Sequence, residues 1–242
     1  MPMPSVLAHT EGNQDAGNRL LAQLSEQDFE QVTAHLVRVP LLTRQVLHKQ
    51  GEELHHIYFP NAGVVSMMNL LPDGTSVEAA TIGNDGVVGG EAFFSDRARA
   101  ACETVIQVPA PDATAERMNV RDFRQLLVTC PGLNHAVGEY LHKLYAVMAR
   151  VSACNARHSV CQRCARWLLT THDRMHRSDF ELSQEFLSMM LGVRRQTVSV
   201  IAGDLRSRGL IDYVHGRITI RDRRGLEDLA CSCYSAIRAL SE

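Results

Sequence analysis

The chain has 242 residues, with 45% hydrophobic and 21% charged side chains, an ordinary folded composition that excludes disorder and suits two compact domains. No apolar run reaches the roughly 18–20 residues that span a bilayer, and Met1 to Gly17 lacks the basic start and apolar stretch of a secretory leader, so a cytoplasmic protein without a membrane partner is expected. The formal net charge of −2 divides unevenly, with residues 1–143 summing to −7 and residues 144–242 to +5, which predicts a polyanion as partner of the C-terminal part.

In chain order, residues 1–17 read as a polar, flexible tail. Ser25 and the amphipathic residues Phe29, Val32 and Leu36 predict a short capped helix. From Val37 to Met118 short apolar runs alternate with turn residues. Ile57–Phe59, Val64–Met67, Ser76–Ala80 and Thr104–Val108 read as strands, separated by turns at Pro60–Gly63, Pro72–Gly74 and Gly83–Gly86. That texture predicts an antiparallel barrel or jelly roll. After Pro131, Leu133, Val137, Tyr140, Leu144, Val147, Val151 and Cys154 recur at alternating steps of four and three, an a/d seam on one long helix. The chain offers no second helix of this kind, so the seam predicts a parallel homodimer; the alternative is packing on the chain's own barrel. Val160 to His172 reads as a further helix.

Phe180 to Leu205 has the pattern of a helix–turn–helix. Ser183 can cap the first helix, Glu185 suits its positive end, and Leu187, Met190 and Leu191 form its apolar face. Gly192 supplies the positive φ that a tight interhelical turn needs. Val193, Val198, Ile201 and Leu205 would pin the second helix, leaving Arg194, Arg195, Gln196, Thr197 and Ser199 outside. A donor-rich face at a helix N-terminus is what reading base edges and phosphates in a major groove requires. Leu210–Val214, a turn at His215-Gly216, and Arg217–Ile220 add a two-stranded wing.

Taken together, these pieces resemble the Crp/Fnr family of bacterial transcription regulators over nearly the whole chain. The jelly-roll part carries that resemblance in Gly51, Ile57-Tyr58-Phe59, Gly63, Val64, Asp73-Gly74, Ile82-Gly83, Gly86 and Gly90-Glu91. The resemblance implies an α+β chain with an N-terminal antiparallel jelly-roll sensor domain (residues 18–130), a long dimerisation helix (131–157) and a C-terminal winged helix–turn–helix (158–242). It implies a non-enzymatic homodimer binding an inverted repeat in double-stranded DNA, with RNA polymerase and a small-molecule effector of unidentified kind as further partners. Arg195 stands where the family's arginine reads a guanine, and Gln196 where a glutamate usually reads a cytosine. Base contacts are therefore expected from Arg195, Gln196 and Ser199, phosphate contacts from Arg194, Thr197 and Arg217, and dimer contacts from Leu133, Val137, Tyr140, Leu144, Val147 and Val151. Val200 replaces a second guanine-reading arginine of cyclic-AMP receptors, so a different operator is expected.

The effector pocket departs further. Gly90-Glu91 matches the ribose-binding pair, but Ala101-Cys102 stands where nucleotide-binding relatives have Arg-Ser, with Arg97 and Arg99 at the wrong spacing. A cyclic phosphate without an arginine partner is poorly compensated, so cyclic-AMP control is not expected, and Gly90, Glu91, Arg97 and Arg99 stand as the candidate effector pocket. The first of seven cysteines is Cys102, so no N-terminal iron–sulfur cluster is expected. Cys161 and Cys164 share a helical face, whereas Cys231 and Cys233, placed in a C-terminal helix starting near Asp222, would point about 200° apart and could not grip one ion. Buried thiols, with no metal and no cofactor, are the expectation. His55 and His56 alternate in direction rather than forming a ligand pair. The rival reading is a ligand-binding or metal-dependent jelly-roll enzyme with a basic C-terminal interaction domain.

Overall fold

The computed structural model describes residues 17–108, 113–175 and 177–241. The expected flexible tail lies, apart from Gly17, outside the described residues. Asn18 caps a single turn, α1 (Arg19–Ala22), while its buried amide donates to the carbonyls of Pro60 and Gly86, tying the chain's entry to the barrel. Ser25 caps α2 (Glu26–Thr33) by accepting from Asp28 N.

Seven strands follow: β1 (Val37–Pro40), β2 (Val46–His48), β3 (His56–Pro60), β4 (Val64–Leu70), β5 (Ser76–Ile82), β6 (Glu103–Val108) and β7 (Thr114–Asn119). They form two antiparallel sheets, ordered β1-β7-β3 and β2-β6-β4-β5. The four strands expected from the sequence are present. β1, β2 and β7 carry no clean inward–outward alternation, so the sequence pattern alone does not mark them. Val65, Met67, Ala80, Ile82, Ile106 and Ala115 fill one interior, and Ile57, Phe59, Met118 and Phe123 a second. Gly63 and Gly74 turn the chain at φ +86° and +82°, values that penalise a Cβ.

Asn119 then caps α3 (Val120–Thr129), and Pro131 opens the 27-residue α4 (Pro131–Arg157), where its missing N–H costs nothing. Here the structure corrects the seam. Leu133 and Val137 are 0% exposed, sealed against Leu20, Phe123 and Leu127 of their own chain. Tyr140, Leu144 and Val147 pack on the jelly-roll core, and Val151 is likewise buried. Leu133, Val137 and Val151 are therefore buried within this chain and are no free dimer face, whereas Tyr140, Leu144 and Val147 are only half-buried. One residue further on, Tyr145 is 73% exposed, with Leu141 and Met148 half-buried beside it.

The C-terminal part comprises α5 (Val160–Met175), β8 (Asp179–Glu181), α6 (Gln184–Leu191), α7 (Arg195–Ser207), β9 (Ile211–Val214), β10 (Arg217–Ile220), α8 (Arg223–Leu229) and α9 (Cys233–Ser241). β8, β10 and β9 form an antiparallel sheet in that order. The core of Trp167, Leu168, Leu187, Leu191, Val198, Leu205 and Ile218 continues into the jelly roll through Val64, Met68 and Val105. Among the described residues no helix is long and apolar enough to cross a membrane.

Candidate nucleic-acid interface

Ser183 accepts from Phe186 N to start α6, and Gly192 ends it at φ +61°, as the sequence pattern requires. Val198 and Leu205 are buried beneath α7, with Val193 and Ile201 half-buried against the same core. Burial on these positions alone orients the helix. It leaves Arg194, Arg195, Gln196, Ser199, Val200 and Gly203 exposed, with Thr197 half-buried. Arg194 is the N-cap residue of α7, and its side chain is exposed. Among the described residues neither Arg194 nor Arg195 enters an ion pair. Two cations beside the positive end of a helix, unneutralised, form a local field suited to an anion. Ser199 is already engaged, its Oγ donating to Gln184 Oε1 at 2.7 Å. Gln184 had not been singled out in the sequence; its position opening α6 is the signal that could have done so.

The wing behaves differently. Arg217 donates through Nε and Nη2 to Asp179 Oδ2, at 2.9 and 2.6 Å, and holds that carboxyl below the usual range. Arg221 pairs with Asp212 at 2.6 Å and Arg208 with Asp204 at 2.9 Å. Two of its N–H donors serve Asp179, so Arg217 is partly neutralised, yet it is exposed and keeps donors that can reach a phosphate.

Among the candidate effector residues, Gly90 and Glu91 share one turn and the two arginines lie on the surface. Gly90 opens a 3₁₀ turn (Gly90–Phe93) pressed under Leu141, and the Glu91 carboxylate accepts from Ala101 N at 3.0 Å. Arg97 and Arg99 are exposed, and Arg99 turns back to the Gly51 carbonyl at 2.8 Å. Burial, with Glu91 nearby, pushes the Cys102 thiol up to about 11, which keeps it protonated and unreactive at neutral pH.

A buried polar joint links the two parts, and sequence reading missed it. Glu78 of β5 accepts from Ser66 at 2.8 Å and from the Trp167 indole at 3.1 Å, and Ser66 also bonds Gln107. Desolvation raises the Glu78 carboxyl to about 7, although Ser66, the nearby Arg166 charge and Trp167 oppose the shift. Arg174 of α5 reaches Thr81 and lies 3.9 Å from Asp85. A glutamate within a strand pattern is the only trace of this joint in the sequence.

The cysteines require a second correction. The C-terminal helix is broken: α8 ends at Leu229 and Cys231 precedes α9, so Cys231 and Cys233 are not two positions of one helix. Both turn toward Cys154 and His158, which sit one turn apart at the end of α4. Cys164 is buried in the α5 core, its thiol pushed up to about 12 by burial.

A jelly roll joined through a long helix to a winged helix–turn–helix defines a class, the transcription regulators that couple a sensing barrel to a DNA-binding unit. Family models divide the chain in the same way: the cyclic nucleotide-binding domain matches residues 38–129 and the Crp-like helix-turn-helix domain residues 162–229. The fold is similar to that of the c-di-GMP-responsive global regulator CLP of Xanthomonas campestris, at 18% identity and TM-score 0.66, over 81% of this chain and 99% of that one. It is also similar to a protein described as a Crp/Fnr-family transcriptional regulator from Eubacterium rectale, at 14% identity and TM-score 0.68, covering 88% and 98% of the two chains. A CRP-family regulator from Thermus thermophilus gives 23% identity and TM-score 0.64, over 80% and 96%. No curated protein matches the chain in sequence. The chain belongs to the Crp/Fnr family of transcription regulators.

Proposed function

We propose that this regulator binds an inverted repeat in duplex DNA as a homodimer and is not switched by cyclic AMP. The observation that carries the reading is the exposed, unpaired Arg194 and Arg195, with Gln196, at the start of a helix whose opposite side is locked into the core. Arg195 and Gln196 address base edges, Ser199 joins them once it leaves Gln184, and Arg194 and Thr197 address phosphate. Arg217 is a weaker phosphate contact, because Asp179 already neutralises part of its charge. Two-fold symmetry places the half-sites about 10–10.5 base pairs apart.

The dimer contact is placed on the exposed side of α4 around Tyr145 and Ser152, with the half-buried Leu141, Leu144 and Met148 at its margin. Ala149 and Ala153 beside it are small enough for two helices to approach closely. Cyclic-AMP control is disfavoured because Ala101-Cys102 offers no charge to a phosphate and the nearby arginines face outward. RNA polymerase and an effector of other chemistry remain the further partners of this reading, and no catalytic role is proposed.

The test selects bound duplexes from a random pool and then titrates the chosen site over a range of salt. A regulator gives a steep negative slope of log K against log salt, whereas the rival enzyme reading gives almost none. Sedimentation of a Tyr145→Asp variant checks the dimer face. Monomers without operator binding are expected, and an intact dimer refutes that face.

A further inference from the structure

Cys154, Cys231 and Cys233 form a small buried cluster of their own, detached from the larger apolar cores. Three thiols packed together gain little from burial that alanines would not also supply, so their convergence calls for a chemical reason. Cys154 lies in the last turn of α4, and His158, four residues on, is the C-cap whose N–H bonds the Cys154 carbonyl at 3.0 Å. Cys231 and Cys233 reach them from the break between α8 and α9. The Cys154 and Cys231 sulfurs are 3.4 Å apart, Cys233 Sγ is 3.7 Å from His158 Nδ1, and all four donor atoms lie within 4.8 Å of one another.

We infer that Cys154, His158, Cys231 and Cys233 hold a single tetrahedral metal ion, with zinc as the fitting occupant. Metal–sulfur bonds of about 2.3 Å and metal–nitrogen bonds of about 2.0–2.1 Å place tetrahedral ligands roughly 3.5–3.8 Å apart. The two observed separations fall at or just below that edge. An iron–sulfur cluster spreads its cysteines over several irons and needs a wider cage. Three thiolates and one imidazole favour a soft or borderline ion, and four protein ligands leave no open position, which is the pattern of a structural rather than a catalytic site. Three thiolates and a dication sum to −1. Buried Arg166 lies in electrostatic range of Cys154, and Arg150 in range of Cys233, so the excess charge is balanced locally.

The location gives the ion its consequence. His158 is the C-cap of α4, and α5 begins at Val160, so the ligands straddle the joint between the long helix and the DNA-binding part. The ion would tie that joint to the start of α9 and fix the angle at which each recognition helix leaves the dimer axis. This second effect rests on the regulator reading; the site itself does not.

The full chain, purified under reducing conditions, is assayed for metal by mass spectrometry. About one zinc per chain is expected, lost in Cys231→Ser and Cys233→Ser but retained in Cys164→Ser, whose thiol lies outside the cluster. Should the variants fail to fold, cobalt(II) titration of chelator-stripped wild type decides the matter: tetrahedral ligand-field bands with thiolate-to-cobalt charge transfer support the site. Their absence, or a metal-free Cys154–Cys231 disulfide in the reduced preparation, overturns it. Stripping the zinc is expected to weaken binding to the selected duplex by about tenfold. Stoichiometric zinc whose removal leaves that affinity unchanged overturns the clasp while leaving the site standing, and zinc with no duplex binding at all points instead to failure of the regulator reading.

Discussion

Several arginines of the jelly-roll part are committed to partners within the fold, whereas the two that open α7 are not. In the barrel, Arg38 pairs with Glu116, Arg124 with Asp96, and Arg99 with the Gly51 carbonyl. At the start of α7, Arg194 and Arg195 have no carboxylate partner among the described residues, on a helix whose other side is buried in the core. Desolvating an unpaired cation against an anion is cheaper than stripping a paired one, because no existing ion pair has to be broken first. The uncommitted face therefore marks its partner, whereas the committed one marks only the fold. The wing falls on the committed side, with Arg217 and Arg221 held by Asp179 and Asp212.

The largest test of this contrast lies where the two parts meet. Trp167 is buried in the shared core and donates to Glu78, so Trp167→Ala leaves a large cavity and an acceptor short of a donor. A loss of about 3–5 kcal/mol is expected in urea unfolding. A smaller loss, with two separate transitions, would show that the parts fold independently and that the joint is incidental.

Glu78 sharpens the same point through pH. Its folded carboxyl is raised from 4.5 to about 7 by burial. The native state thus binds more protons than the unfolded chain between those values, and stability falls as pH rises through that window. The shift corresponds to about 3 kcal/mol, fully lost above the folded value. Glu78→Gln should flatten this contribution, read as the difference between the two stability–pH curves; parallel curves would mean the carboxyl titrates normally.

On the uncommitted side, Arg195→Ala should cost about 1–3 kcal/mol per half-site and relax preference at one base pair, while Arg194→Ala weakens all sequences alike and reduces the salt slope by about one unit per contact. Titrations against single-base changes in one half-site separate the two. The reverse pattern would shift the register of α7 by one residue. The smallest effect is expected from cyclic AMP or cyclic GMP in calorimetry, with nothing tighter than about millimolar, about −4 kcal/mol. Micromolar heat would show that the barrel's arginines are less committed than their contacts imply.

The helix–turn–helix was legible because its signals are local: Ser183, Gly192 and the spacing of Val198 and Leu205 each act within a turn or two of their own position. The long helix was half legible. Periodicity reveals that a stripe is buried but not what buries it, and Leu133 and Val137 turned out to be covered by the chain itself. The cysteine cluster was illegible for a different reason. The helix break at Ala230–Ser232 contains neither glycine nor proline, so Cys231 and Cys233 looked like neighbours on one helix. Even so, the four-residue step from Cys154 to His158 was open to view.

Trp167 is the single tryptophan of the chain, and its indole nitrogen bonds the one carboxylate at the joint that titrates near neutrality. Intrinsic emission is therefore a built-in gauge of whether barrel and DNA-binding part are docked. Excitation of tryptophan alone follows separation, protonation or ligand-driven rearrangement of that joint in real time, with no dye, no engineered label and no background from elsewhere in the molecule.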